Sequence, residues 1–233
     1  MFGALTDFIG GDMEQHIDHH FDEALSALKS QILLMGGKVE AMVADCMRAL
    51  AARDTKLAEQ VVEADHSVNA LEVAIDEQCI ELLARYQPAA SDLRFITRGL
   101  KIVTDLERVG DLAVNTASRV MDIAREGDSP IDRTQMSSIV RMMLHDSIEA
   151  FVNTDVAKAE GVLKNDDMVD DLTECYVNEL LERACREPQN LNRLFPATSI
   201  VRYLERMADH STNIAELAIF RAKGRDVRHS SPR

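Results

Sequence analysis

Two stretches of the chain carry oxygen-bearing side chains at four-residue spacing. Each contains a Glu, then an Asp, then an Asn: Glu107, Asp111 and Asn115 in the first, and Glu205, Asp209 and Asn213 in the second. Four residues of an α-helix turn through about 400°, so each set lies on one helix face with about 6 Å between successive steps. We call these sets the acidic rows. Carboxylate and amide oxygens are the ligands that hard cations prefer, so each row predicts a metal site.

The acidic rows need a counter-charge, because carboxylates one turn apart repel each other, and more strongly when they are buried. Arg108 and Arg206 each follow the Glu by one position. One step along a helix turns a side chain by about 100°, so we expect both arginines to project sideways and to be poor partners for the rows. Mg²⁺, Ca²⁺, Mn²⁺ or iron would suit these oxygens. The alternative is an ordinary solvated acidic face.

Matching oxygen groups elsewhere favour the metal interpretation. Polar residues recur at equivalent positions of the two halves. The second helix of each half carries Asp65 with Asp166 and Asn69 with Asp170, and the first helix of each half carries Asp45 with Asp146. We therefore predict a metal site in each half. Its ligands are the residues of the rows together with Asp65 in the first half and Asp166 in the second.

The chain reads as a tandem duplication. Asp54 and Leu71 recur 101 residues later as Asp155 and Leu172, whereas the rows recur after 98 residues, which places a short deletion in the loop near Pro188. Self-similarity of this kind indicates two copies of one supersecondary unit. The predicted fold is all-α, with two tandem three-helix bundles related by pseudo-twofold symmetry.

The predicted organisation has four parts. A flexible N-terminal arm over residues 1–14 precedes a first three-helix repeat over 15–127, a second over 128–222, and a basic flexible tail over 223–233. The boundary between the repeats falls in the turn-rich run 126–130. The tail is either a solvated end or a segment that touches a membrane surface or an acidic partner.

Apolar residues at steps of three or four predict the helices of the first repeat. The first predicted helix extends from about residue 15 to residue 50. The second ends just before Pro88, and the third covers residues 89–125. Gly36 and Gly37 interrupt the first helix, which predicts either a kink or a close approach of another helix.

Composition excludes several classes of protein. The net charge of −14 and the pI near 4.9 argue against nucleic-acid binding, which needs a basic face. The sequence contains neither an apolar run long enough to span a bilayer nor a signal-peptide pattern. We therefore expect a cytoplasmic protein. The four cysteines form no Cys-x-x-Cys pair, and Cys46 and Cys79 are predicted to be core residues in a reducing compartment.

Two other patterns could bind metal. The cluster His16, His19 and His20 has no counterpart in the second repeat, which favours surface histidines. Glu63 and His66 fit the Glu-x-x-His element of ferritin-like di-iron bundles, but that element occurs once and such bundles need two. This pattern supports the main rival hypothesis, a carboxylate-bridged metal oxidase or metal-storage bundle.

Several dispersed motifs resemble one known family. The runs 106–111 (LERVGD) and 204–216 (LERMADHSTNIAE) closely resemble the signature of the PhoU phosphate-signalling regulators, and so do 35–40 (MGGKVE) and 65–69 (DHSVN). The resemblance covers roughly residues 16–222 in both repeats. The first copy departs from the pattern at Leu112, where the family often has His, and at residues 116–118.

The resemblance implies a non-enzymatic regulator with six helices in two bundles. Its implied metal motifs are Glu107 with Asp111 and Glu205 with Asp209. The implied metal is magnesium, manganese, iron or zinc, bound as single ions or as clusters of several ions. It also implies a cytoplasmic homodimer that represses the phosphate-starvation response. The implied partners are the ATPase subunit of the phosphate ABC transporter and the sensor histidine kinase PhoR, with membrane contact only through them.

Overall fold

A computed structural model describes residues 6–124 and 134–223, with the side chains of 19–124, 134–189, 191–192 and 194–223. The described residues form six α-helices and one short 3₁₀ turn, Pro188–Asn190. In chain order the helices are α1 (Thr6–Ala52), α2 (Thr55–Tyr86), α3 (Ala90–Ala124), α4 (Thr134–Asn153), α5 (Val156–Arg186) and α6 (Leu191–Lys223).

The same turn joins the first two helices of each half. Asp54 and Asp155 are the N-caps of α2 and α5, and each accepts a hydrogen bond from a backbone N–H of the helix that it starts. The residue before each cap has a positive φ, 55° at Arg53 and 60° at Thr154. Non-glycine residues seldom adopt this left-handed conformation. Its occurrence at equivalent positions supports the predicted duplication at the level of the backbone.

The helices pack as two bundles of three. In the first half α1, α2 and α3 pack against one another, and in the second half α4, α5 and α6 do the same. The halves meet where α1 packs on α4 and α3 packs on α6. The predicted fold, two tandem three-helix bundles, is therefore confirmed.

One hydrophobic core runs through both bundles. The predicted seam of α1 is buried, including Leu28, Ile32, Met35 and Val39. Cys46 is also fully buried, as predicted, and burial raises the pKa of its thiol to about 12. A thiol with such a pKa stays protonated and behaves as a small apolar residue.

The two helices that carry the acidic rows, α3 and α6, pack against each other. Pairs of side chains meet along the whole contact with residue numbers that rise on one helix as they fall on the other: Arg98 with Phe220, Asp105 with His210, and Arg119 with Tyr203. The two helices are therefore antiparallel, as the predicted pseudo-twofold relation requires.

The glycine pair marks a close approach of α1 and α4. A Cβ placed on Gly36 would lie 2.7 Å from Cδ1 of Ile148, whereas one on Gly37 would have nothing within 4 Å. Of the two predicted explanations, the structure supports close helix approach at Gly36.

The start of α1 differs from the prediction. The backbone is helical from Thr6, so residues 6–14 of the predicted arm belong to α1. The three-to-four-residue spacing of apolar side chains shows where a helix packs against others. A helix can continue beyond the part that packs. Residues 1–5, the predicted boundary at 126–130 and the tail from 224 lie outside the described residues. None of the helices in the described part has the length and apolar content needed to cross a bilayer.

Candidate metal centre

The first acidic row faces a stripe of polar residues on α2. Glu107 and Asp111 of α3 lie in hydrogen-bonding contact with each other, and the negative charge of Glu72 acts on Glu107 from α2. Burial, followed by the charge of Asp111, raises the pKa of Glu107. Burial also raises the pKa of Glu72, with the charge of Asp76 as the next cause. The four carboxylates therefore form one negative cluster between two helices.

Sequence reasoning missed Glu72 and Asp76. Both have side chains of intermediate burial on α2. A signal was available, because Asp65, Asn69, Glu72 and Asp76 follow the i, i+4, i+7, i+11 spacing of one helix face. Only Asp65 and Asn69 have acidic or amide counterparts in the second repeat, so a search by repeat equivalence could not find the other two.

The second acidic row faces carboxylates of α5. Asp166 lies beside Asp170 and also near Asp209 and Glu205 of α6. Burial, followed by the charge of Asp170, raises the pKa of Asp166 to about 6. Burial and the charge of Glu205 raise the pKa of Asp170 and of Asp209 as well. The structure thus brings together the predicted carboxylates of the second half.

Arginines contact the rows more closely than predicted. The sideways projection expected of Arg108 is wrong, because its Nε lies 3.5 Å from Oε2 of Glu107 and its Nη1 3.7 Å from Oδ2 of Asp111. In the second row Arg202 donates to Oε2 of Glu205 at 2.9 Å. A long side chain can curl back across one turn, so Cβ direction alone misjudges its reach. These arginines are more than half exposed, which limits their charge neutralisation.

The asparagines of the rows have different surroundings from the carboxylates. Asn213 donates from Nδ2 to Oδ1 of Asp105 on α3, at 3.4 Å, and His210 approaches the same oxygen at 2.9 Å. Asn213 therefore belongs to the contact between the halves. The side chain of Asn115 is exposed.

Unpartnered oxygens beside the first row test whether a cation fits there. Oδ1 of Asp65, Oδ1 of Asn69 and Oδ1 of Asp76 are buried and lack a hydrogen-bond partner. Asp65 Oδ1 lies 3.5 Å from the position of a Cβ on Gly110, next to the row residue Asp111. A buried acceptor without a partner costs about 1–3 kcal/mol. Asp65 and Asp76 lie about 16 Å apart along α2, so they cannot share one ion, but carboxylate and amide oxygens of this kind are the ligands that hard cations prefer.

A tighter group lies elsewhere, on α4. Among the described residues, only His145, Asp146 and Glu149 place three ligand atoms within 4.8 Å of one another. Lys158 already neutralises this group, since its Nζ pairs with Glu149 and lies 3.4 Å from Oδ1 of Asp146. Asp45, the counterpart of Asp146, pairs with Arg48. The pair Asp45 and Asp146 therefore lies in ion pairs away from the rows.

The histidine patterns give little support to a metal site. Glu63 and His66 are both exposed on α2, whereas the Glu-x-x-His element of ferritin-like bundles points into the bundle interior. His19 and His20 are exposed and lie 3.4 Å from Glu23. The side chain of His16 lies outside the described ones.

Comparison with known proteins identifies the family. The family model for the PhoU domain matches residues 32–120 and again 134–218, one match in each half. The chain belongs to the PhoU family. Each match contains one acidic row and one of the two three-helix bundles.

Relatives match over nearly the whole chain. The chain is 40% identical over 220 residues to "Phosphate-specific transport system accessory protein PhoU homolog" of Pseudomonas putida, covering 93% of this chain and 86% of the relative. It is 33% identical to "Phosphate-specific transport system accessory protein PhoU" of Escherichia coli, covering 94% of this chain and 91% of the relative.

Solved structures show the same fold. A crystal structure of PhoU from Pseudomonas aeruginosa superposes with a TM-score of 0.85 at 39% identity, covering 88% of this chain and all of the other. A phosphate transport system regulatory protein PhoU from Streptococcus pneumoniae superposes with a TM-score of 0.82 at 28% identity, covering 89% and 99% of the two chains.

Proposed function

We propose that this PhoU-family chain is an accessory regulator of phosphate transport that represses the phosphate-starvation response. The observation that carries the proposal is end-to-end similarity to accessory proteins of the phosphate-specific transport system, at 40% identity in one case. The similarity includes both halves rather than one shared domain. The names describe accessory proteins of the phosphate-specific transport system and, for the Streptococcus pneumoniae structure, a regulatory protein.

The finer proposal is that the chain acts as an adaptor. It would link the ATPase subunit of the phosphate ABC transporter to the sensor histidine kinase PhoR, acting in the cytoplasm as a homodimer. The net charge of −14 would speed the encounter with basic surfaces of a partner.

Metal binding at the acidic rows is the second part of the proposal. Glu107, Asp111 and Asp65 would hold cations in the first half, with Glu72 and Asp76 as oxygen ligands further along α2. Asp65 and Asp76 are about 16 Å apart along the helix and would serve different ions. Glu205, Asp209 and Asp166 would hold one in the second half, with Asp170 beside them. A bound divalent or iron-type ion would supply positive charge where burial, followed by like charges, raises the pKa values of Asp166 and Glu107. It would therefore stabilise the helix pairs α2–α3 and α5–α6.

A gene deletion tests the regulatory proposal. Loss of the chain should switch on phosphate-starvation genes in phosphate-rich medium, measured as transcript levels, and the wild-type gene on a plasmid should silence them again. Starvation genes that stay silent in the deletion strain would refute the proposal. Pull-down of the tagged chain, with quantified recovery of the transporter ATPase and the kinase, tests the adaptor role separately.

A further inference from the structure

Three positive side chains line one face of α3 near its start. Arg94, Arg98 and Lys101 follow the i, i+4, i+7 spacing of one helix face. Lys101 is exposed, and the two arginines are partly buried. We call these three residues the basic stripe. It is about 10 Å long, and it ends about 9 Å before the first acidic row begins at Glu107.

The basic stripe has no counter-charge among the described side chains. The ion pairs that cations of α3 form there involve Arg108 and Arg119 and none of the three stripe residues. The acid one turn beyond Lys101 on the same face is Asp105, which contacts His210 of α6 at 2.9 Å instead. Positive charges one turn apart repel each other, so an external negative charge would stabilise the stripe.

The two arginines have donors available for an oxygen-bearing group. The guanidinium of Arg98 lies over the ring of Phe220, with 4.0 Å between Cζ and the ring centroid. A guanidinium stacked in this way has its N–H groups at its edge, where they match the two oxygens of a carboxylate. Nε of Arg94 lacks a hydrogen-bond partner among the described residues. Neither guanidinium is therefore paired with a carboxylate of the described chain, and both can donate to an incoming one.

The second half shows that the bundle does not need these charges. Positions of α3 and α6 correspond at a separation of 98 residues, and the fully buried pair Ile102 and Ile200 agrees with this register. The counterparts of the stripe residues are uncharged: Asn192, Pro196 and Ser199. The same helix therefore packs in the second bundle without positive charge at these positions, which indicates that the stripe serves the surface rather than the fold.

We propose that the basic stripe binds an acidic helical segment of a partner protein through three carboxylates. Charge complementarity supports this partner, and a facing helix with Glu at i, i+4 and i+7, or at i, i+3 and i+7, carries carboxylates at the spacing of the stripe. One small anion cannot span a stripe about 10 Å long. At physiological salt, charges more than about 8 Å away are largely screened, so the net charge of −14 does not prevent local binding. The proposed regulatory role assigns no surface to a partner, so either proposal can fail without the other.

A titration of the full chain with acidic peptides tests the proposal. The probes are helical peptides of about 18 residues with three Glu at either of the two spacings, and each has a matched peptide with Gln in place of Glu. In ¹⁵N NMR spectra at about 50 mM salt, the Nε–Hε signals of Arg94 and Arg98 should move and saturate with the Glu peptides. The Gln peptides should bind at least tenfold more weakly.

Protein variants locate the binding site. Arg94→Gln with Arg98→Gln should weaken binding at least tenfold while the protein stays folded by circular dichroism. The matched control is Arg141→Gln with Lys164→Gln, which removes the same charge from exposed positions of α4 and α5 and should leave binding unchanged. Phe220→Leu keeps all three charges of the stripe but removes the ring under Arg98, and it should weaken binding about threefold.

Four results would overturn the proposal. The first is that neither Glu peptide binds the wild-type chain at millimolar concentration. The second is that the control pair weakens binding as much as Arg94→Gln with Arg98→Gln. The third is that inorganic phosphate, at matched ionic strength, moves the same signals and displaces the peptides, because the stripe would then bind a small anion. The fourth is that the chain sediments as a dimer which Arg94→Gln with Arg98→Gln dissociates, because a second copy would then cover the stripe.

Discussion

Asp166 shows how the second cluster behaves at the residue scale. Its carboxyl lies between two helices with four other carboxylates acting on it, and its pKa is raised from 3.8 to about 6. A carboxyl whose pKa is raised by folding contributes most to stability when protonated. That contribution is fully present below pH 3.8 and is lost as the pH rises through about 6.

Asp166→Asn should therefore change stability with opposite signs in two conditions. In chelator at pH 7.5 the neutral amide relieves repulsion and should raise the free energy of unfolding by about 1–2 kcal/mol, less than the full pKa shift implies because the site is partly exposed. At pH 5 the gain should shrink. With saturating Mn²⁺ at pH 7.5 the variant should be less stable than wild type, since a ligand is lost.

Urea unfolding under the three conditions measures this prediction. Asp171→Asn, an exposed neighbour on the same helix, is the control. Equal stability of Asp166→Asn and wild type in chelator at pH 7.5 would contradict the clustered geometry.

At the same scale, the sequence identified the carboxylates but not their partners. Four-residue spacing places Glu107 with Asp111 on one helix face, whatever that face contacts. The spacing does not predict which side chains this face contacts. It does not show that Glu72 of α2 lies near Glu107, that Arg108 curls back onto Glu107, or that Asn213 donates to Asp105. Those contacts depend on rotamers and on the packing of α3 against α2 and α6.

The α4–α5 turn is the clearest feature at the element scale. Thr154 has a φ of 60°, in the region where a β-branched residue is strained. The N–H of Asp155 donates to the carbonyl of Ala150 at 2.9 Å, as that of Asp54 does to Ala49 at 3.0 Å. Such helix ends usually have glycine at the left-handed position.

Thr154→Gly should raise the free energy of unfolding by about 0.5–1 kcal/mol, because glycine adopts a positive φ without a Cβ clash. Thr154→Ala is the matched control and should give a smaller gain, since it keeps the Cβ. Thermal unfolding measures both. A Thr154→Gly variant less stable than wild type would show that the threonine side chain outweighs the strain.

The end of α2 was predicted because local chemistry sets it. Pro88 stops α2 at Tyr86, and the caps Asp54 and Asp155 start α2 and α5. The start of α1 was missed because the apolar period reports packing rather than backbone hydrogen bonding. The duplication could be recognised in the sequence because both the capping residues and the buried apolar positions of the helices recur.

At the scale of the whole molecule, the two halves depend on close contacts along α1–α4 and α3–α6. Gly36 allows the first contact, since a Cβ there would overlap Ile148. The duplicated pattern predicted that the bundles would be related. It could not predict which helices would touch, because the interface residues differ between the repeats.

Gly36→Leu should lower the free energy of unfolding by about 1–3 kcal/mol, because the new side chain must displace buried Ile148 between the halves. Gly37→Leu is the matched control and should be neutral or stabilising, since that position is open. Ile148→Ala added to Gly36→Leu should restore part of the loss. An equal loss in both leucine variants would place the effect in α1 itself and contradict a contact between the halves.

Metal content of the purified chain tests the central claim most directly. The chain is prepared without chelator, as wild type, as Glu107→Ala with Glu205→Ala, and as a charge-matched control, Glu63→Ala with Glu174→Ala, which changes exposed acids of α2 and α5. Mass spectrometry of the metals should find ions in the wild type and the control, and a loss in the row variant together with a lower unfolding temperature. Metal content that is unchanged in the row variant, or equally reduced in the control, would contradict the assignment of the acidic rows as metal centres.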